Sequence, residues 1–205
     1  MNLRPGALLL LATLSAAGCG GTPTRIDNIC AIFEEYPDWY EEASNSEKKW
    51  GVPIPVMMSI IHQESSFRPN ARPDRTWYLG FIPGPRPSSA YGYAQALDET
   101  WDHYVLKTGN RGADRDDFAD TVDFLGWYCN QSSRRCGISR SDAYRLYLAY
   151  HEGQGGYNRG SWRGKTWLLK TARKVSRRAS DYQRQLRGCR KKLEDELESG
   201  GFLFF

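Results

Sequence analysis

The chain has 205 residues, 40% of them hydrophobic and 13% aromatic, and a formal net charge of +4 at pH 7. This length predicts one domain with a substantial buried core, and no second domain is expected. The modest charge does not by itself indicate nucleic acid, and an acidic polymer or a membrane surface is equally compatible with it. We expect no nucleic-acid partner, and we expect the protein to be a monomer.

The first 18 residues have the features of an export signal. Arg4 precedes an apolar run at residues 7–14, which is too short for an ordinary membrane span, and small residues follow. Small residues directly before Cys19 resemble the lipobox of bacterial lipoproteins, in which the cysteine receives lipid after cleavage. Gly20 follows the cysteine, and this resemblance implies an anchor in the outer membrane, facing the periplasm, if the source has one. An ordinary secretory signal, with Cys19 incidental, is the alternative.

Composition divides the chain into four parts. We predict a signal peptide at 1–18, a linker at 19–25, a single domain at 26–198 and a tail at 199–205. The tail ends in four apolar residues that are too few to act as an anchor alone.

Four cysteines remain if Cys19 is lipidated, and an even number in an exported protein predicts disulfides. Cys129 and Cys136 bracket a short polar segment and are expected to pair. Cys30 and Cys189 would then join the two ends of the domain. Metal binding is the rival interpretation, but the chain has no CxxC pair.

Periodicity and capping residues predict a mainly α-helical domain. The only candidate strands form a short hairpin around Trp77 to Ile82, and a flexible glycine-rich turn is expected from Gly153 to Gly164. The predicted helices cover approximately residues 27–36, 38–50, 53–63, 98–109, 117–128, 142–153 and 175–193.

Glu64 ends the almost wholly apolar third helix and is the strongest candidate for catalysis. It lies one turn beyond Ile60 and Ile61, so its carboxylate projects along an apolar face. Burial and the negative end of the helix dipole both disfavour the ionised form and raise its pKa. A glutamic acid that stays protonated near neutral pH can act as a general acid.

Two further segments are unusual in composition. Residues 67–90 hold five of the ten prolines together with several arginines and aromatics. Such a loop suits contacts with sugar rings, and the alternative is a rigid surface loop that packs its own aromatics. The basic run from Arg173 to Lys192 is most simply a solvated helix face, with attraction to an anionic polymer or lipid as the alternative.

Three motifs in order resemble the lytic transglycosylases with a soluble-type catalytic domain, in the lysozyme-like superfamily. They are Glu64-Ser65-Ser66-Phe67, Gly92-Tyr93-Ala94-Gln95 and Ala149-Tyr150-His151-Glu152-Gly153, and the resemblance covers about residues 51–173. It implies an α+β lysozyme-like fold, a peptidoglycan substrate and no cofactor or metal.

The resemblance also implies roles for individual residues. Glu64 matches the single catalytic acid and base, and Tyr150 matches a tyrosine that lies close to it and can hydrogen-bond to it. His151 and Glu152 replace the usual asparagine and small residue, and Tyr93 and Ala94 replace the middle of the Gly-Leu-Met-Gln motif. The residues expected to bind substrate are Ser65, Ser66, Tyr91, Gly92, Tyr93, Gln95, Tyr150, His151 and Glu152.

Members of this family cleave the bond between N-acetylmuramic acid and N-acetylglucosamine without water and leave a 1,6-anhydro sugar. The sequence offers no second acid close to Glu64, whereas a hydrolytic muramidase requires one. Asp98, Glu99 or Glu152 could supply it through folding, so the muramidase remains an alternative. A non-catalytic peptidoglycan-binding lipoprotein is a second alternative.

A metallohydrolase is the third alternative, suggested by His62, Glu64, His103, His151 and Glu152. The chain has no HExxH motif. His62 and Glu64 are two positions apart and therefore point to different sides of a helix. His62 is more simply explained as a helix-end residue that hydrogen-bonds locally.

Overall fold

This computed structural model describes residues 21–79 and 81–200. These residues form seven α-helices and one two-stranded hairpin, joined by loops. The predicted signal peptide, Cys19 and the final apolar residues lie outside the described residues. In chain order the elements are α1 Ile29–Glu35, α2 Pro37–Trp50, α3 Ile54–Ser65, β1 Trp77–Tyr78, β2 Ile82–Pro83, α4 Asp98–Thr108, α5 Phe118–Cys136, α6 Ala143–Arg159 and α7 Thr166–Gly200. The mainly α-helical prediction is confirmed.

Helix α3 lies at the centre of the domain. Nine of its 12 residues are buried, because apolar side chains wrap almost its whole circumference. It packs against α2, α5, α6 and α7, which together enclose the core. Pro53 and Pro55 suit its first turn, where the backbone N–H groups have no partner within the helix. The sequence prediction of a buried helix ending at Glu64 is confirmed.

Three predicted boundaries are wrong. Helix α5 does not end at Tyr128 but continues through the polar segment to Cys136, where Gly137 forms a left-handed cap. Helix α6 does not end at Gly153 but kinks there and continues to Arg159. Helix α7 has 35 residues and begins at Thr166, well before the predicted start. In each case the additional helical residues are a polar stretch with only a weak local signal for helix. Their packing against neighbouring helices outweighs that weak signal.

Only one of the two predicted disulfides forms. Cys30 on α1 is bonded to Cys189 on α7, with 6.1 Å between their Cα atoms. The predicted bond between Cys129 and Cys136 is wrong, because both lie on α5 and are free. Seven residues of helix separate their Cα atoms by about 10 Å, which exceeds the reach of a disulfide.

The loop between α3 and α4 carries the predicted hairpin. Trp77 pairs with Pro83 and Tyr78 with Ile82 in antiparallel register. Leu79 and Phe81 at its tip are 81% and 72% exposed, so the loop does not simply pack its own aromatics. No helix among the described residues is long and apolar enough to cross a membrane.

Candidate active site

The end of α3 places Glu64 at the surface of the core. Ser66 takes a left-handed conformation and caps the helix, and its N–H donates to the carbonyl oxygen of His62. Phe67 follows with a φ of 60° and is completely buried. The chain therefore turns sharply after α3 and leaves Glu64 facing a cleft.

The surroundings of Glu64 raise its pKa to about 7. Desolvation by the neighbouring core is the main cause, because it penalises the charged carboxylate. A hydrogen bond from the hydroxyl of Tyr147 acts in the opposite direction and favours the ionised form. A substantial fraction of Glu64 is thus protonated at neutral pH, as a general acid requires.

The turn between the hairpin and α4 forms one wall of the cleft. Gly92 has a φ of 78°, and an added Cβ would lie only 2.0 Å from the carbonyl oxygen of Arg115, so no other residue fits without rearrangement. Gln95 donates its amide N–H groups to the carbonyl oxygens of Ala71 and Gly92, at 2.8 and 2.9 Å. These bonds hold Gln95 at the cleft and leave its amide oxygen as an acceptor.

The opposite wall comes from α5 and α6. Tyr150 donates from its hydroxyl to the carbonyl oxygen of Ala94 at 2.6 Å, which ties α6 to the turn across the cleft. The Tyr150 ring packs edge-on against Tyr128 of α5, with 5.2 Å between centroids. Tyr147 lies one turn before Tyr150, so both side chains are on the same face of α6. The hydroxyl group of Tyr147 interacts with Glu64, whereas that of Tyr150 bonds to Ala94.

A pocket of about 220 Å³ opens at Glu64. It continues past Thr100 and Tyr128 into a cavity of about 310 Å³. That cavity shares His103, Trp127 and other side chains with a third cavity of about 430 Å³. The result is an extended groove along α4 and α5 rather than an isolated pocket. The first pocket is lined by Glu64, Gln95, Ala96, Leu97, Thr100, Phe124, Tyr128, Tyr150 and His151.

A family model described as the transglycosylase SLT domain matches residues 7–189. The match covers most of the chain. The chain belongs to the transglycosylase SLT domain family. No curated protein matches the chain significantly. Membership agrees with the lysozyme-like helical fold and associates the chain with peptidoglycan degradation of the lytic transglycosylase type.

Within this SLT domain, four of the residues predicted from sequence line the pocket, namely Glu64, Gln95, Tyr150 and His151. Tyr147 was missed, although it bonds to Glu64. Its position three residues before Tyr150 was the available signal, because residues three apart share a helix face.

The other predicted substrate-binding residues lie outside this pocket. Tyr93 is 1% exposed and packs edge-on against Trp39 and Phe118, so it is a core residue. Ser65 is buried and donates to the carbonyl oxygen of Ile61, and Ser66 caps α3.

Tyr91, Gly92 and Glu152 support the walls of the SLT groove. Tyr91 donates to Asp116 at 2.6 Å and lies under the guanidinium group of Arg72. Gly92 is buried in the turn described above.

Three other carboxylates were candidates for a second catalytic acid. The Glu152 side chain is only 4% exposed and is paired with Lys165 at 2.7 Å, which with Ser161 lowers its pKa to about 2. Asp98 is paired with Arg115 at 2.8 Å. Glu99 is exposed and lines the adjoining cavity instead of the pocket. Glu64 is the one acidic side chain among the fully described residues that line the pocket.

The histidines of the SLT domain are separated. His62 faces α7 and lies 3.3 Å from Asp27, whereas His103 packs against Trp127 on α5. His151 contacts Glu152 at 3.1 Å and packs edge-on against Trp167. Across residues 21–79 and 81–200, no three His, Cys, Asp or Glu side chains are grouped so that they could hold a metal ion.

Proposed function

We propose that the chain cleaves the β-1,4 bond between N-acetylmuramic acid and N-acetylglucosamine in peptidoglycan and forms a 1,6-anhydro sugar. The observation that carries this proposal is a single carboxyl group among the described residues that line the first pocket, Glu64, with its pKa raised to about 7 by desolvation. Glu64 serves first as the acid and then as the base.

The reaction proceeds in two proton transfers. Protonated Glu64 donates to the glycosidic oxygen, the bond from C1 to this oxygen breaks, and an oxocarbenium-like centre develops at C1. The C6 hydroxyl oxygen of the same sugar then bonds to C1, and its proton passes to the Glu64 carboxylate. Attack within one sugar benefits from a high effective molarity and consumes no water. Glu64 ends the cycle protonated, as it began.

The positions of the neighbouring acids favour this route over hydrolysis. A retaining or inverting hydrolase needs a second carboxylate on the other side of the sugar. Neither Glu152, which is paired with Lys165, nor Asp98, which is paired with Arg115, lines the Glu64 pocket. Glu99 lines the adjoining cavity instead. The N-acetyl group of the substrate could stabilise the positive centre instead, as in substrate-assisted glycosidases.

The length of the groove supports a polymeric substrate. Three adjoining cavities extend from Glu64 along α4 and α5, and aromatic side chains line them. Flat sugar faces stack on such aromatic rings. Gln95, with its acceptor oxygen free, and Thr100 offer hydrogen bonds to sugar hydroxyl and amide groups.

Mass analysis of the products from purified peptidoglycan tests the proposal. We expect muropeptides that are lighter by one water molecule than the hydrolytic products, because the C6 oxygen of the same sugar, and not a water oxygen, bonds to C1. Products with reducing ends would instead support the muramidase.

Glu64→Gln provides the matched variant, since it keeps the shape of the side chain but cannot donate or accept the catalytic proton. Turnover should fall at least 100-fold, the scale typical of general acid catalysis, while sedimentation with insoluble peptidoglycan is retained. Unchanged cleavage by this variant would remove Glu64 from the mechanism. If the wild-type protein binds peptidoglycan without cleaving it, the non-catalytic binding lipoprotein becomes the better explanation.

We also propose that Cys19 carries lipid and anchors the protein in the outer membrane, facing the periplasm, if the source has one, and in the cell envelope otherwise. The lipobox-like segment before Cys19 supports this proposal, and the location would place the enzyme beside its substrate. Metabolic labelling with a fatty acid should mark the wild-type protein and not Cys19→Ser. Equal labelling of both, or release of the wild-type protein in soluble form, would contradict it.

A further inference from the structure

The first 27 residues of helix α7 carry an excess of positive charge, whereas its last turns are acidic. Between Thr166 and Lys192 it has ten basic residues and one acidic residue, Asp181. Four of the basic side chains form salt bridges with neighbouring carboxylates. The other six are exposed and take part in no salt bridge within residues 21–79 and 81–200. We call these six the basic face: Lys170, Arg173, Lys174, Arg177, Arg187 and Lys191.

The basic face occupies one side of α7. At about 100° per residue, its six members fall within an arc of about 140°. The buried stripe of the same helix, which includes Leu168, Val175, Tyr182 and Leu186, lies on the opposite side. From Lys170 to Lys191 the face extends for about 32 Å at 1.5 Å per residue. It is a long convex surface, which suits an extended flat partner better than a small ligand.

Two cavities flank this face. One, of about 430 Å³, is lined by Lys174, Arg177 and Arg178 together with side chains of α3 that include Ser59, His62 and Gln63. Asp181 also lines this cavity, and its carboxylate is paired with Arg184. The other, of about 350 Å³, is lined by side chains that include Arg184, Arg187, Ser176 and Ser180. Each combines guanidinium groups with neutral hydrogen-bond donors, a combination that suits phosphate oxygens.

Most of the nearby acids are paired with other basic side chains, but Asp195 and Glu198, about one and two turns beyond Lys191, fall on the same side of α7 and reduce its positive charge at that end. Asp27 is bound to Arg178 and faces His62, and Asp181 is bound to Arg184. Glu34, Glu47 and Glu196 pair with Arg190 and Lys192, near the far end of α7.

The N-terminal segment runs beside the same helix. Tyr182 donates to the carbonyl oxygen of Ile26, and Gln185 donates to that of Asp27 at 3.1 Å. Cys30 is bonded to Cys189. Cys19 precedes Asp27 by eight residues, so it can lie no more than about 28 Å from it. A lipid attached at Cys19 would therefore be within reach of the basic face.

Glu64 faces away from this surface. His62 and Gln63 line the first of the two flanking cavities, next to α7, whereas Glu64 lines the groove. The groove and the part of α7 that lines this cavity are therefore on different sides of α3, although Trp167 at the start of α7 contacts His151 of the groove.

We propose that the basic face of α7 docks on an anionic phospholipid bilayer, with lipid phosphate groups entering the two flanking cavities. This orientation leaves the groove open to the glycan strands on the other side of α3. The docking goes beyond the proposed cleavage and does not depend on it. The attraction is electrostatic, at about fivefold in affinity for each basic residue at the surface, and it weakens as salt screens the charges.

Vesicle sedimentation tests the docking. The chain from Gly20 onward, without lipid, is mixed with vesicles of phosphatidylcholine alone or with about one third phosphatidylglycerol, which gives a surface of the charge required. We expect binding to the anionic vesicles only, with progressive loss as salt is raised. Equal binding to both vesicles, or binding to neither, would overturn the proposal.

A matched pair of triple variants locates the surface. Arg173→Gln, Lys174→Gln and Arg177→Gln together should weaken vesicle binding about 100-fold, since three basic residues are lost. Lys48→Gln, Arg111→Gln and Arg134→Gln remove the same charge from exposed, unpaired positions on α2, the loop before α5 and α5 itself, and should have much less effect. Equal losses for the two triple variants would contradict a specific face.

Two further measurements separate this proposal from the enzymatic one. The basic-face variant should unfold at the wild-type temperature and cleave soluble glycan strands at the wild-type rate. If it instead loses binding to peptidoglycan while vesicle binding is unchanged, the face is a site for the wall polymer and the bilayer proposal fails.

Discussion

At the scale of single residues, the reactivity of Glu64 depends on its environment more than on its chemical type. Core side chains displace water around the carboxyl group and raise its pKa to about 7, while Tyr147 moderates the shift. Glu152, by contrast, is a carboxylate whose pKa is lowered to about 2 by Lys165 and Ser161. The two groups differ in their partners, and this difference assigns the proton-transfer role to Glu64.

The pH dependence of cleavage should report the pKa of Glu64. Because the acid form is required first, activity should be highest below about pH 7 and fall as the pH rises through this value. Initial rates on soluble glycan strands between pH 5 and 9 measure the midpoint. A midpoint near the ordinary value for glutamate would contradict the assignment.

Stability should depend on the same group. The pKa of Glu64 is higher in the folded than in the unfolded state, so ionisation opposes folding. The favourable contribution is complete below about pH 4.5 and is lost as the pH rises through about 7. Glu64→Gln, which cannot ionise, should therefore be more stable than wild type at pH 8, by about 3 kcal/mol, and similar at pH 4. Urea unfolding at the two pH values checks this difference.

Tyr147→Phe should move the alkaline midpoint of the rate profile to higher pH. The lost hydroxyl group favours the ionised carboxylate, so its removal raises the pKa of Glu64 further. Tyr150→Phe is the matched control, since its hydroxyl group bonds to Ala94 and not to Glu64. Its midpoint should remain that of the wild type. A shift in the control and none in Tyr147→Phe would reverse the roles of the two tyrosines.

At the scale of elements, the kink in α6 separates the groove from the segment that follows. Gly153 has a φ of 70° and a ψ of 157°, a conformation that is essentially restricted to glycine. Directly before it, Glu152 reaches forward to Lys165 and Ser161. This pair holds the segment after the kink against α6 and so keeps His151 at the groove.

Gly153→Ala should destabilise the domain by about 1–3 kcal/mol through backbone strain alone, because an added Cβ meets no atom within 4 Å. Gly188→Ala is the matched control inside α7, where an added Cβ also has free space. Alanine has the higher helix propensity, so this control should be about 0.5–1 kcal/mol more stable. Thermal unfolding of both variants measures whether each substitution lowers or raises stability. A Gly153→Ala variant as stable as the wild type would contradict the predicted backbone strain.

At the scale of the whole molecule, the two ends of the described chain are joined through α1 and α7. The disulfide from Cys30 to Cys189 spans 159 residues and therefore restricts most of the unfolded chain. Helix α7 also packs against α1, α3 and α6, and these contacts hold the C-terminal helix against the rest of the domain. The central helix α3, with Glu64 at its end, is thereby enclosed by both ends of the sequence.

Replacing both bonded cysteines by serine should lower the free energy of unfolding by about 2–5 kcal/mol. Cys136→Ser is the control, because Cys136 is free and only partly buried, and it should change stability much less. Denaturant unfolding under non-reducing conditions compares them. If addition of reductant leaves the wild-type stability unchanged, the bond does not contribute.

Local patterns in the sequence were sufficient for the helices and for Glu64. Apolar residues around the circumference of α3 predicted its burial, and Pro53 and Pro55 marked its start. The ordered motifs also predicted Gln95, Tyr150 and His151 at the pocket. These features depend on residues that are close in the chain, so their physical signal is visible in the sequence.

Tertiary structure alone decided which groups meet across the chain. Tyr147 rather than Tyr150 bonds to Glu64, Glu152 is neutralised by Lys165, and Tyr93 packs into the core. The pairing of Cys30 with Cys189 was predicted correctly, but the partner pair on α5 was wrong because the helix continues. Such contacts depend on how the helices pack and where each one ends, and local periodicity does not contain that information.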